Sequence, residues 1–267
     1  MRHKLCRPLP IRLRLLPVRE LIALCCLLPL AAAGQASAPA PPLSIAQLVG
    51  NMVQLNLDRA QALRSYQGTR TYTLNYQGFL NKIRAQMVVD VTYIAPDTKQ
   101  FQIVSQSGPR WMVDQVLKRL IRTESDAQKN AARRGVDLNR ENYNFTGLQY
   151  QPAADGCSYS LHVQPKIPSK YLYRGRIWIN DRDFAVCRIQ AEPAKNPSFW
   201  IKKTTISHRY EKVGEFWLPA SNTSVSSIRV GGKATLTIQY ENYRILHASA
   251  LQKLPASGAV SLRNSVQ

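Results

Sequence analysis

The sequence is short of the residues from which catalytic and metal sites are built. It has four histidines and five cysteines in 267 residues, and three of those cysteines fall within the first 26. It has no Gly-x-Ser-x-Gly elbow, no phosphate loop, no His-Glu-x-x-His and no Cys-x-x-Cys. His162, His208 and His247 are far apart in sequence, and metal ligation needs ligands that converge, so each reads as a satisfied or exposed strand histidine. Acidic residues are scarce too, 16 Asp and Glu against 36 Lys and Arg. The apolar run Leu21–Ala33 is thirteen residues, whereas a bilayer-spanning helix needs about 20. These absences exclude the recognisable hydrolase, nucleotide-binding and zinc-protease classes. No enzymatic activity, cofactor or metal is expected.

What is present begins with an address. Residues 1–19 carry six basic side chains and no acid, Leu21–Ala33 follows, and Ala31, Ala32 and Ala33 precede Gly34. A basic segment, a short apolar core and small residues read as a secretory signal peptide over residues 1–38. Cys25 and Cys26 lie in the middle of the apolar core, and Cys25 follows Leu24, so lipid attachment is not expected. A Pro/Ala-rich linker at 39–43 leads to a folded domain at 44–246, and a low-complexity tail at 247–267 is expected to be disordered. Without residues 1–38 the chain keeps 30 basic and 15 acidic residues, a net charge of +15. Such an excess suits an anionic membrane surface, or it only keeps the protein soluble. Export argues against nucleic acid.

Leu43–Arg64 repeats apolar residues at three- and four-residue spacing behind Ser44, a plausible N-cap, and predicts a helix. Three strands are expected next, at 69–77, 83–93 and 99–105. Then Met112, Val113, Val116, Leu117, Leu120 and Ile121 form one helical face, flanked by Lys118, Arg119 and Arg122. Lys129, Arg133 and Arg134 follow before Gly135. This basic amphipathic segment reads either as a lid over an apolar cavity that also touches anionic lipid, or as an ordinary surface helix.

A meander of alternating runs fills the rest. Strands are expected near 143–148, 157–164, 171–179, 185–191, 200–210 and 216–219, with Pro193 and Pro197 breaking the ladder between two of them. A last hairpin joins 222–230 to 233–240 across Gly231-Gly232. Nine to eleven strands with one apolar face each must curl, and the curl must be covered. The expected fold is mainly β with two or three helices, a curved antiparallel sheet forming an incompletely closed barrel with a helical lid.

Gly175-Arg176-Ile177-Trp178-Ile179, Glu192-Pro193-Ala194-Lys195 and Phe216-Trp217-Leu218-Pro219, together with the order helix, three strands, helical insertion and meander, resemble the LolA/LolB-like periplasmic lipoprotein-carrier superfamily. That superfamily includes outer-membrane lipoprotein-sorting proteins and RseB-type stress sensors. The resemblance covers about residues 44–246 and transfers no functional residue one by one. It implies a hydrophobic cavity for acyl chains with the helices as lid. On this chain the wall would be Met87, Val89, Val91, Ile103, Leu161, Ile177, Ile189, Leu236 and Ile238. The lid would be Val113, Val116, Leu117 and Leu120, with Lys118, Arg119 and Arg122 towards the membrane. The function implied is a non-enzymatic periplasmic carrier or chaperone for lipid or lipidated protein on its way to the outer membrane. The alternative is an envelope sensor or assembly module working through an inner- or outer-membrane protein.

Cys157 and Cys187 remain after export, and an oxidising compartment invites a disulfide. The inferred hairpin registers set Cys157 opposite Ile177 and Cys187 opposite Arg176, with one strand between the cysteines. Two strand spacings put their Cα atoms about 9.5 Å apart, beyond the roughly 7 Å that a disulfide spans. Two free thiols are therefore expected.

Overall fold

A computed structural model describes residues 43–96, 98–129, 137–196, 198–229 and 231–246. The signal peptide, all of the linker but Leu43, the tail with His247, and the segment holding Arg133, Arg134 and Gly135 lie outside them. The chain opens with α1, Ile45–Ala62. Its start is a capping box: the Ser44 hydroxyl accepts from the Gln47 amide, and the Gln47 side chain accepts from the Ser44 amide. Strands β1, Ser65–Gln77, β2, Lys82–Ile94, and β3, Thr98–Ser107, follow. The insertion comprises α2, Arg110–Met112, a π-helical turn, Val113–Leu117, and α3, Lys118–Lys129. Seven strands then run in meander: β4, Tyr143–Tyr150, β5, Tyr159–Pro165, β6, Tyr173–Ile179, β7, Val186–Pro193, β8, Ile201–Val213, β9, Phe216–Ile228, and β10, Lys233–Ile245.

All ten strands form one sheet in the order β3-β2-β1-β10-β9-β8-β7-β6-β5-β4, every pair antiparallel. β3 and β4 each keep one unpaired edge, so the sheet does not close on itself. The domain is thus mainly β, an open antiparallel barrel with helices laid over one face. The Gly231-Gly232 turn has φ of 104° and 89°, a backbone that glycine adopts without penalty.

Two prolines depart from expectation. β7 runs through Pro193, which stands opposite Tyr173 at the last position of the ladder. The expected 216–219 and 222–230 runs are one strand, β9. Pro219 sits at a register shift against β8, and the β9–β10 ladder begins at Ser221, so the missing amide is not needed there.

The free thiols are contradicted: Cys157 and Cys187 form a disulfide, with Cα atoms 6.2 Å apart. The inferred register was wrong. Tyr159 pairs with Ile179, the last residue of β6, so Cys157 lies beyond the end of that strand. A shift at Trp178/Ile179 brings Cys187 to the same end of β7. No strand stands between them.

Candidate functional site

Residues directly opposite in an antiparallel ladder point to the same side of the sheet. Following the pairs gives one row across eight strands: Met87, Tyr72, Ile238, Asn222, His208, Ile189, Ile177 and Leu161. A parallel row runs Ala85, Leu74, Leu236, Ser224, Ile206, Ala191, Gly175 and Val163. Gly175 is required there, because a Cβ would overlap the Gln190 carbonyl and Ala191 of β7. Both helices lie on this face, each over one end of the rows.

Over β4–β7, Leu48, Val49 and Met52 of α1 pack with Tyr143, Tyr159, Leu161, Val163, Ile177, Ile179 and Ile189. The Arg59 guanidinium closes this seat by donating to the Asp183 carbonyl at 2.9 Å. The Asp183 carboxylate in turn accepts from the Trp217 indole and pairs with Lys212, both at 2.9 Å.

Over β1–β3, Met112, Val113 and Leu117 pack with Tyr72, Leu74, Ala85, Met87, Val89 and Val91, and Leu236 and Ile238 lie against the same cluster. Here the fastening is ionic. Glu124 of α3 accepts from Arg70 at 2.7 Å and from Lys99 at 2.8 Å. The Arg70 side chain is 6 % exposed and is flanked by the rings of Tyr240 and Phe101, 5.0 and 5.6 Å from the guanidinium carbon. Burial works against the charged Glu124 carboxyl, but Arg70 and Lys99 outweigh it and hold its pKa below the usual carboxylate range.

Between the helices the face changes character. Asn222, Ser224, Ile206, His208, Leu236 and Ile238 on β8–β10 are only partly buried, where the row ends are sealed. Burial pushes the His208 imidazole below its ordinary pKa. On the inserted helix itself, Gln115, Val116, Arg119, Leu120, Thr123 and Glu124 line an open groove of about 430 Å³. Among the described residues no three His, Cys, Asp or Glu side chains group as metal ligands.

The expected wall residues therefore divide. Met87, Val89 and Val91 are sealed under the inserted helix, and Leu161, Ile177 and Ile189 under α1. Leu236 and Ile238 reach the partly open middle. Ile103 lies on the edge strand and is 41 % exposed, because the helix covers β3 only in part. Of the expected lid, Val113 and Leu117 are buried, and Val116 and Leu120 line the groove. Lys118 is tied to Asp114 at 2.8 Å, while Arg119 and Arg122 are exposed. Sequence patterning passed over Arg70, Glu124 and Asn222 as site residues, and read His208 only as a satisfied or exposed strand histidine. The first two meet across 54 positions, and the last two stand where alternation turns polar in β8 and β9.

No protein-family model and no curated protein matches this chain. Among solved structures, it is similar to a DUF1329 family protein from Desulfovibrio piger ATCC 29098, at 15% identity and a TM-score of 0.36, over 77% of this chain and 98% of that one. It is similar to a putative outer membrane lipoprotein-sorting protein domain from Vibrio parahaemolyticus, at 11% identity and a TM-score of 0.35, over 76% and 95% of the two chains. A LolA superfamily protein from Nitrosomonas europaea is similar at 10% identity and a TM-score of 0.32, over 74% and 94%.

Proposed function

We propose that the domain is a non-enzymatic periplasmic carrier that takes an acyl chain, of a lipid or a lipidated protein, along the trough between its two helices. The observation that supports this is the shared inner face, sealed at both ends and left partly open over β8–β10, where Leu236 and Ile238 lie against the apolar cluster under the inserted helix. The polar middle, Asn222, Ser224 and His208, suits a head group or an amide next to the chain. The signal peptide at 1–38 would deliver the protein to the periplasm.

The test uses the chain from residue 39 onward and a fluorescent apolar probe displaced by palmitate. Ile238→Glu places an unpaired charge on a half-open wall and is expected to weaken binding about tenfold or more. It is preferred to Val89→Glu, which would put the charge in a sealed core and unfold the domain. A folded wild-type protein that takes up no probe, or keeps it against palmitate, would sink the carrier reading.

A further inference from the structure

The hairpin turns of one end of the sheet are unlike those of the other. Pairing of Gln77 with Lys82 and with Lys233 puts the β1–β2 and β9–β10 turns at the same end. Pairing of Ile201 with Ile228, and of Tyr173 with Pro193, adds the β7–β8 and β5–β6 turns. Contacts join these four turns into one rim. The Tyr76 hydroxyl donates to the Gly231 carbonyl, and the Phe79 ring lies next to Gly231. Arg229 donates to the carbonyls of Phe199 and Trp200 and stands over the Phe199 ring. The Ala194 amide donates to the Leu172 carbonyl.

This rim holds the most exposed large apolar side chains among the described residues. Leu80 is 99 % exposed and Phe79 95 %, and Ile167, Phe199, Tyr171 and Trp200 are 59–79 % exposed. Folding gains nothing by leaving six such groups in water, and a contiguous exposed apolar patch marks a contact surface. The four turn segments, 78–82, 165–173, 193–202 and 228–233, contain seven Lys and Arg and no acid, and the stretch entering β4 beside the β5–β6 turn adds Asp137, Arg140 and Glu141. At the opposite end the β4–β5, β6–β7 and β8–β9 turns carry Asp155, Asp181, Asp183 and Glu215.

Aromatic tips ringed by cations, with no acid in the four turns, match the boundary of an anionic bilayer, where rings lie among head groups and ammonium groups meet phosphate. We propose that this rim docks the domain on an anionic phospholipid bilayer, with Leu80, Phe199 and Trp200 entering the interface and Lys82, Lys170 and Arg229 on the phosphates. The flank of the inserted helix, with Lys118 already paired, is not the main contact. The inference stands whether or not the trough carries an acyl chain.

The experiment is co-sedimentation of the chain from residue 39 onward with vesicles of phosphatidylglycerol and phosphatidylcholine in equal parts. Removing phosphatidylglycerol should weaken binding at least tenfold, since each cation near an anionic surface strengthens it roughly fivefold, and salt should weaken it too. Leu80→Ser with Phe199→Ser and Trp200→Ser should lose binding, and Glu215→Gln at the other end should keep it. Lipid brominated in its acyl chains should quench the wild-type tryptophan emission and not that of Trp200→Phe. This readout does not depend on the folding of the triple variant. A wild-type protein that ignores the anionic vesicles, equal binding by the folded triple variant, or no quenching would overturn the proposal and leave the rim to a protein contact.

Discussion

The two helices rest on one face of the same sheet, yet different forces hold them. α1 is seated by three fully buried apolar side chains, Leu48, Val49 and Met52, on a wall of buried aliphatic and aromatic residues. Its end of the sheet is also stapled by Cys157–Cys187. The inserted helix has a similar apolar seat in Met112, Val113 and Leu117, but its far part is fastened by Glu124 to Arg70 and Lys99. Apolar seating responds little to pH or salt. A half-buried ion cluster responds to pH and loses much if one member is removed. One half of the face is therefore built to stay shut, and the other has a fastening that a change of charge can release.

The largest effect should come from the staple. Replacing Cys157 and Cys187 with serine frees a loop of sequence separation 30 and should cost about 3.5 kcal/mol by loop entropy. Chemical denaturation of the oxidised and variant proteins measures it, and thiol titration of the denatured, unreduced chain from residue 39 should find no reactive group. If Trp178 and Trp217 on the α1 side lose structure before Trp111 in α2, the halves unfold separately.

Next is Glu124→Gln, which leaves Arg70 buried without its counter-ion. About 3 kcal/mol is expected, the low end for breaking a buried pair, because the Glu124 side chain is one-third exposed. The depressed pKa fixes the pH dependence. Stability from this cluster is fully present above the unfolded carboxylate value of about 4.3 and is lost as pH falls from there through the folded value. Wild-type stability measured between pH 6 and 3 should carry this slope and Glu124→Gln should lack it. Equal slopes would remove the ionic side of the comparison.

The smallest effect is at the start of α1. Ser44→Ala removes one arm of the capping box and should cost about 1 kcal/mol, with no added sensitivity to acid. A pH-dependent loss there would mean that the Arg59–Asp183 contact, with its carboxylate paired to Lys212, holds α1 more than apolar packing and its cap do.

Much of this contrast was readable in the sequence, for reasons of period. β2 alternates cleanly because its inner side chains are sealed and its outer ones wet, and α1 and the inserted helix show their buried faces at helical spacing. The inner rows of β8 and β9 were not readable, since Thr204, His208, Asn222, Ser224 and Ser226 look like solvent-side residues. Their face is known only from the neighbours they pair with. The disulfide was missed through a register error of a few residues, which the Pro165–Lys170 turn alone could not fix. Nothing local marked Arg70, because its partner lies in a helix far along the chain.

The strand order also bears on when the domain can come into being. β5 to β10 each pair with the strand before, so the β4–β10 meander can zip locally, and β2 and β3 can do the same on β1. Among the described residues, the ladder that joins the two blocks is β1 with β10, Leu74 against Leu236. Closing that seam is a long-range step, slow compared with hairpin formation. The first strand made must wait for the last, and a chain cut before Lys233 would hold two half-sheets with no ladder between them.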